Sequence, residues 1–515
     1  MNRAITLWKS MAIVFINSFC VMVIELIASR ILAPYIGVSL YTWTSIIGVI
    51  LAGIALGNYL GGKLADRYPY PLALVIIMLA GSWATIAIVP ALGFVIARGW
   101  FNGLPLMANF ILKTSLIFLL PAVILSMVSP LVIKLALAEI GQTGSIVGSV
   151  YACSTVGSIL GTFMTGFYFI LWFGTRMTVR LVAVALLLTA VLAWFLFKIP
   201  DRWRLSLRNI VIWAAVVLAI FTAIFSPLKA GSTASHTRES NYYTIGVWDE
   251  AGGIKVLALD CLVHSYVLPD DPTRLQYEYL KIFTEIVSYT AGENRVPRLL
   301  HLGGGGYSFP RFMETVYPGS INDVAEIDPL VTEVAHAELG LPLDTSVRTY
   351  NEDARLFLIE REGGYKYNYI IGDVFNDLAT PYHLTTLEFD RLVKATLEDN
   401  GIYLVNIVDN YSEGRYMPSF VKTLEQVFRH VYLFGTSRNW DGVGRTTFVI
   451  AATDRAIDLA DLRQFASSGG EIAYAYPHDE AKLEDYLKAR EALILTDDYA
   501  PTDILMAYLF KSKIK

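Results

Sequence analysis

A run of glycines followed by two acidic side chains marks the most chemically suggestive part of this 515-residue chain. The glycines lie in Leu302-Gly303-Gly304-Gly305-Gly306-Tyr307, directly after an apolar segment. Consecutive glycines let the backbone approach a ligand where a Cβ would collide, and a helix starting behind them offers unpaired N–H groups. The next apolar segment ends in Ala325-Glu326-Ile327-Asp328-Pro329, where a carboxylate can accept both hydroxyls of a ribose. The third ends in Asn351-Glu352-Asp353-Ala354-Arg355, where Asp353 can accept from the exocyclic amine of adenine. Taken singly, each acid also reads as a helix N-cap or a solvated turn. In this order, on consecutive segment ends, they point to a nucleoside site.

Such a site needs parallel strands whose carboxyl ends lie side by side. Short apolar runs at 297–302, 321–327, 347–350, 367–372, 401–407, 430–435 and 445–451 alternate with helical patterns, which predicts a doubly wound α/β domain over 293–515. Before it, Tyr242–Trp248, the turn Ala251-Gly252-Gly253 and Ile254–Leu259 read as a β-hairpin, and helical periodicity runs from Asp271 to about Thr290. Residues 229–292 are therefore expected to form a small β-hairpin domain with a linking helix.

The first 228 residues are a different object. They hold 14 Lys/Arg against 4 Asp/Glu, a balance of +10, whereas residues 229–515 hold 27 against 42, a balance of −15. The acidic half is a poor partner for nucleic acid, and no nucleic-acid role is expected. Apolar runs long enough for a bilayer occur at 12–33, 44–62, 72–96, 108–133, 145–172, 179–197 and 209–226, which predicts seven spans in an inner (cytoplasmic) membrane and lipid as a partner. The first run is too long for a signal peptide and lacks a cleavage site. Gly53, Gly57 and Gly61, and again Gly157, Gly161 and Gly166, form small-residue stripes expected to pack helices closely. Glu25 is the one acid deep in a span, with Asn17 and Ser29 nearby, and a structural hydrogen bond in the bundle is the favoured reading over an ion relay. Nine Lys/Arg near the span ends on the amino-terminal side against five on the other put the amino terminus inside, which would place the acidic half outside; adenosyl chemistry would place it in the cytoplasm. The three cysteines, Cys20, Cys153 and Cys261, are too few and scattered for a disulfide framework, and no metal is implied.

The fourth strand opens into Asp373-Val374-Phe375-Asn376-Asp377-Leu378-Ala379-Thr380-Pro381-Tyr382-His383-Leu384-Thr385-Thr386-Leu387-Glu388-Phe389. Together with the glycine loop, Glu326-Ile327-Asp328 and Asp353-Ala354-Arg355, this resembles the spermidine synthase-like proteins, particularly their membrane-fused branch. The likeness takes in Glu239-Ser240-Asn241-Tyr242, Leu259-Asp260 and Thr496-Asp497-Asp498-Tyr499-Ala500-Pro501, and covers nearly all of 239–505. Gly61-Gly62-Lys63-Leu64-Ala65-Asp66-Arg67 also looks like the basic loop between the second and third helices of major-facilitator transporters, so the bundle resembles half of one.

The resemblance implies a class I methyltransferase-type fold. It also implies that an amine attacks the aminopropyl carbon of decarboxylated S-adenosylmethionine and displaces methylthioadenosine. Carried over residue by residue, Glu326 matches the ribose acid, Asp353 the adenine acid, and Gly303, Gly304 and Gly305 the loop around the sulfonium tail, with Ala354 and Asp373 beside them. Tyr242, Tyr243, His264, Tyr307, Asn376 and His383 are the expected substrate-side residues. The amine positions depart from the pattern: Gly306 and Asn376 stand where the family has Asp, Tyr243 and His264 where it has Gln, and Cys261 where it has Gly. Asp373 or Asp377 is then the expected amine ligand and base, Asp377 being one residue off register. Three readings follow: an aminopropyltransferase-like enzyme with a small-molecule amine acceptor, a methyltransferase using S-adenosylmethionine itself, or a non-catalytic ligand-sensing or structural domain. Homo-oligomerisation is left open.

Overall fold

The structure, a computed structural model, describes residues 2–36, 39–101, 104–137, 143–197, 236–260, 262–291, 296–361, 363–375, 380–437, 440, 444–468 and 473–506. The chain divides into two compact units, Met1–Ser232 with Glu239–Asn241, and Thr233–Arg238 with Tyr242–Lys515.

The first unit is helical. Its elements are α1 (Asn2–Ile36), α2 (Leu40–Arg67), α3 (Pro71–Ile86), α4 (Ile88–Ala97), α5 (Leu106–Thr114), α6 (Leu120–Ser126), α7 (Val128–Ala136), α8 (Thr143–Met164) and α9 (Ile170–Leu196). Leu7–Tyr35, Leu40–Arg67, Met107–Ala136 and Thr143–Leu196 are each long and apolar enough to cross a membrane, with mean hydropathy from 1.8 to 2.6. Large apolar side chains such as Phe167, Trp172 and Phe195 point outward, a surface that suits hydrocarbon and not water.

The expected spans are broken where the sequence removes backbone donors. Pro90 cannot donate to the Ile86 carbonyl, and α3 and α4 meet there at a 41° bend. A π-helical turn, Ser115–Leu119, precedes Pro121 between α5 and α6, inside the continuous run Met107–Ala136. The fifth and sixth expected spans form one 54-residue run, bent where Gly174 takes φ +67° after a second π-turn at Thr165–Phe169. At 1.5 Å per residue such a run is about 80 Å long, well beyond one ~30 Å crossing. The seventh expected span, 209–226, lies outside the described residues.

Close helix packing rests on the predicted glycines, with one exception. A Cβ on Gly57 would come within 2.3 Å of the Val123 carbonyl oxygen, and one on Gly157 within 2.4 Å of the Phe15 oxygen. Gly53, Gly61 and Gly161 are equally tight against Ala122, Met127 and Phe19. Gly166 faces open space and belongs to the π-turn, not to the stripe.

The second unit opens with a four-stranded sheet of β1 (His236–Glu239), β2 (Thr244–Asp249), β3 (Lys255–Leu259) and β4 (Leu262–Val267), in that order, with β3 antiparallel to β2 and β4. The expected hairpin corresponds to β2 and β3, paired from Ile245–Leu259 to Asp249–Lys255, with two further strands flanking it. The helix expected from Asp271 starts seven residues later, as α10 (Glu278–Ala291). The Asp271 carboxylate accepts from Thr273 N and Oγ1 at 3.1 and 2.6 Å, an Asx-turn that competes with helix.

Beyond it β5 (Arg298–Leu302), α11 (Ser308–Val316), β6 (Ile321–Ala325), α12 (Pro329–Glu338), β7 (Arg348–Tyr350), α13 (Ala354–Glu360), β8 (Tyr367–Gly372), α14 (Leu387–Thr396), β9 (Leu397–Asp409), α15 (Tyr416–Leu424), β10 (His430–Gly435), β11 (Thr446–Thr453), α16 (Leu459–Ser468), β12 (Tyr476–Pro477), α17 (Glu480–Ala489) and α18 (Thr502–Leu505) build an eight-stranded sheet. Its order is β12-β10-β11-β9-β8-β5-β6-β7, parallel from β9 to β7, with β11 antiparallel to both β9 and β10. This is a C-terminal α/β domain of the class I methyltransferase type. One face is covered by α13, α14 and α15 over Leu300, Ile370 and Tyr403; the other by α10 and α11 over Leu299, Ile371 and Leu404. The strand order turns at β5, flanked by β6 on one side and β8 on the other, and in open α/β sheets ligands bind at such a switch point.

Candidate functional site

At that switch point the backbone itself is tightly fitted. Gly303 takes φ +90°, and a Cβ there would come within 2.5 Å of the Asp373 carbonyl oxygen, so the loop after β5 can cross the end of β8 only as glycine. Gly305 also lies in the left-handed region, at φ +49°. Glu326, one residue past β6, is buried and reaches under this loop: Oε2 accepts from Gly304 N at 2.7 Å and Gly305 N at 3.3 Å, and Oε1 from Asp328 N at 3.0 Å. Burial pushes its carboxyl up, against the pull of those three N–H bonds. Oε2 already accepts twice while Oε1 keeps a second lone pair, so the carboxylate that shapes the loop can still accept from a ribose hydroxyl.

Asp353 is the N-cap of α13, accepting from Arg355 N at 2.9 Å and Leu356 N at 3.2 Å through Oδ1. Its other oxygen meets His383 Nε2 at 2.9 Å. Burial works against the ionised form, but the His383 bond and the capping N–H groups outweigh it and hold the carboxyl below the usual range. The N-cap alternative is thus realised in the same side chain that faces the cavity.

Asp373, just past β8, sits between two neutral donors: Tyr279 OH reaches Oδ2 and Asn406 Nδ2 reaches Oδ1, both at 2.8 Å. Burial raises its pKa while both bonds oppose the rise. The Tyr279 hydroxyl is itself driven well up by burial and by the adjacent Asp373, so it stays a donor.

These groups line two adjoining cavities. The larger, about 200 Å³, is bounded by Tyr242, Tyr243, His264, Gly303, Gly305, Glu326, Asp353, Ala354, Asp373, Phe375 and His383, with apolar walls from Leu259, Ala325 and Leu384. The smaller, about 50 Å³, lies behind the glycine loop against His264, Tyr277, Tyr279, His301, Gly304, Ser308 and Asp373. His264 and Asp373 border both. No Lys or Arg lines either one among the described residues, while three carboxylates do.

Of the residues singled out from sequence, most therefore converge here. Tyr307 does not. It is fully buried, its hydroxyl shared with Thr332 Oγ1 at 2.9 Å and Thr349 Oγ1 at 3.2 Å, and it packs with Val324 and Val331 on the far side of the loop. Its place is structural, supporting the glycine turn from beneath. Asn376 and Asp377 lie outside the described residues. Arg311, on the helix that follows the glycine loop, is buried and donates to Leu339 O at 2.9 Å and Pro269 O at 2.7 Å. Gly306 has no room for the missing acid, since a Cβ would meet Ser265 Cβ at 2.6 Å and Val267 Cγ2 at 2.8 Å. Tyr279, Asn406, His301 and Ser308 are the site residues that sequence reasoning missed. Tyr279 carried a signal, a tyrosine on the buried stripe of an amphipathic helix; Asn406, inside a strand run, carried none.

No family model matches the chain. A polyamine aminopropyltransferase from Vibrio vulnificus is 27% identical over 307 residues, 56% of this chain and 97% of that protein. A probable polyamine aminopropyl transferase from Bifidobacterium longum is 26% identical over 224 residues, 40% of this chain and 48% of its own length. Among solved structures, a probable spermidine synthase from Corynebacterium glutamicum superposes with a TM-score of 0.44 at 23% identity, covering 51% of this chain and 96% of that one. The chain is spermidine synthase-like, and its relatives are polyamine aminopropyltransferase homologues.

Proposed function

We propose that this spermidine synthase-like chain binds an adenosyl nucleoside with a cationic tail, decarboxylated S-adenosylmethionine, and transfers its aminopropyl group to a small amine. The observation that carries this reading is the charge of the lining: Glu326, Asp353 and Asp373 without any Lys or Arg among the described residues. A decarboxylated donor bears only positive charge, on sulfonium and ammonium. The full cofactor adds a carboxylate, and among the described residues no guanidinium lines either cavity to receive it, Arg311 being committed to two carbonyls. Methyl transfer from S-adenosylmethionine is therefore the second reading. In this assignment Glu326 takes the ribose, Asp353 with His383 the adenine edge, and Ala354 and the glycines the close backbone contacts.

In the transfer, the acceptor nitrogen's lone pair attacks the carbon next to sulfur, the C–S bond breaks with its electrons to sulfur, and methylthioadenosine leaves. The attacking amine must first lose a proton, and burial of Asp373 raises its proton affinity toward that task. Asp373, with Asp377 beside it in sequence, is proposed as amine ligand and base, and Tyr242, Tyr243, His264 and Asn376 as acceptor contacts.

The domain division proposed is 1–228 for a seven-span, half-transporter-like bundle in the cytoplasmic membrane, 229–292 for the hairpin sheet and linking helix, and 293–515 for the Rossmann-like domain. Titration of the intact protein in detergent with methylthioadenosine tests the reading. Glu326→Ala is expected to weaken binding by about 1.5–3 kcal/mol, the scale of charge-assisted hydrogen bonds. Unchanged affinity removes Glu326 from the ribose site, and absence of binding to the unmodified chain removes the function.

A further inference from the structure

His301 stands on β5 two residues before the glycine turn, buried, with its ring edge against Phe309. Its tautomer is set by a relay of hydrogen bonds leading away from the smaller cavity. Ser320 Oγ donates to Met313 O at 3.2 Å and accepts from Asn322 Nδ2 at 2.8 Å. The Asn322 amide oxygen is therefore turned toward His301, whose Nε2–H donates to it at 3.1 Å. Nδ1 is left as a bare lone pair with no partner among the described residues, on a ring that lines the cavity. Burial lowers the ring's pKa to about 4, so the lone pair stays unprotonated near neutral pH.

A second acceptor lies across the same space. Ser308 Oγ, at the start of α11, is buried and makes no hydrogen bond, although leaving a polar atom unsatisfied is costly. The third is Asp373, whose two oxygens each retain a lone pair after binding Tyr279 and Asn406. The chamber they share, about 50 Å³, takes some three or four heavy atoms at roughly 10–15 Å³ of such volume each. A three-carbon amine tail has four.

We infer that this chamber is a primary-ammonium subsite in which His301 Nδ1, Ser308 Oγ and Asp373 each accept one N–H of the donor's terminal amine. Three acceptors match the three donors of an alkylammonium, and one carboxylate supplies the charge. His301 and Ser308 thereby act as specificity residues where Gly306, closed off by Ser265, can hold no acid. The inference rests on the nucleoside reading above and goes beyond it by assigning the tail.

Two ligands separate the two ideas: methylthioadenosine, which has no amine, and decarboxylated S-adenosylmethionine, which does. In calorimetry on the intact protein, Ser308→Ala should leave methylthioadenosine affinity unchanged and weaken the amine-bearing nucleoside roughly tenfold, because its hydroxyl has no partner in the fold to lose. His301→Phe keeps the ring's packing on Phe309 and should produce a loss of the same order for the amine ligand alone. Should His301→Phe fail to fold, the Ser308→Ala comparison decides by itself. Full retention of amine-ligand affinity, with methylthioadenosine still bound, overturns the subsite and leaves the nucleoside site standing. Failure of the unmodified protein to bind methylthioadenosine overturns both.

Discussion

Arg355 grips Asp497 through two parallel bonds, Nη1 to Oδ1 at 2.7 Å and Nη2 to Oδ2 at 2.5 Å, across 142 residues of chain. The same guanidinium donates to His383 O at 3.1 Å, and Thr386 Oγ1 donates to Asp497 Oδ1 at 2.7 Å. One fork thus ties together three motifs far apart in sequence, Asp-Ala-Arg, Pro-x-His-Leu-x-Thr and Thr-Asp-Asp. What it holds in place is the His383 ring that meets Asp353.

Breaking this fork should cost ligand binding more than stability. The pair is partly exposed, so Arg355→Lys, which keeps the charge and loses the two-pronged geometry, is expected to lower folding stability by only about 1 kcal/mol. Methylthioadenosine affinity should fall further, because the 381–386 segment loses its anchor. Asp497→Asn should act in the same direction, and the double variant should be less than additive in thermal unfolding and in titration. Additive losses would show that the two residues act independently.

Restoring an acid at Gly306 is a tempting repair that the geometry opposes. Gly306→Asp drives a Cβ into Ser265 and Val267 of β4, and overpacking of this kind costs about 1–3 kcal/mol. The expected result is a lower thermal midpoint with no gain in turnover with putrescine. Pairing it with Ser265→Gly should recover part of the loss. A stable Gly306→Asp protein with fast spermidine formation would mean that the loop departs from the position described.

The sheet, the glycine turn and the two nucleoside acids were legible because each is a local signal: an apolar run, a cluster without Cβ atoms, a carboxylate at a strand end. The Asp373 clamp was not, since Tyr279 and Asn406 reach it from elements 94 residues before and 33 residues after it. Tyr307 was misread for the opposite reason. Its place beside the glycines suggested the ligand, but a left-handed backbone at φ +54° turns the ring under the loop into the core. In the helical unit, hydropathy located the apolar runs, while Pro90 and Gly174 decided where they bend. Window averages cannot see a missing N–H.

Acid should weaken the fold through His301. Its pKa falls from 6.5 to about 4 on folding, so between those values the unfolded chain binds a proton that the native state does not. Stability from this group is complete above about pH 6.5 and is lost as pH drops toward 4, up to about 3 kcal/mol at 1.36 kcal/mol per unit. Thermal midpoints of the intact protein measured between pH 7 and 4.5 should fall, and His301→Phe should flatten that slope. An equal slope in both proteins would assign the effect to other groups.

Glu25 calls for a different expectation from the one its sequence suggested. A buried structural partner was anticipated, yet among the described residues its carboxylate makes no hydrogen bond or ion pair, while Asn17 two turns earlier donates to Leu125 O at 3.0 Å and Ser29 to Leu26 O at 3.0 Å. A carboxyl at membrane depth costs about 2.5 kcal/mol or more, and among the described residues no partner offsets it. Removing it should therefore stabilise: Glu25→Leu is expected to raise the thermal midpoint of the detergent-solubilised protein, and Glu25→Gln to raise it less because the amide stays polar. A residue kept at such a cost is a candidate for moving a proton or cation, and both variants should then abolish pH-dependent uptake into vesicles while the protein grows more stable. A lower midpoint for Glu25→Leu would mean that the carboxylate has a partner after all. Unchanged uptake in both variants would strip it of any role in transport.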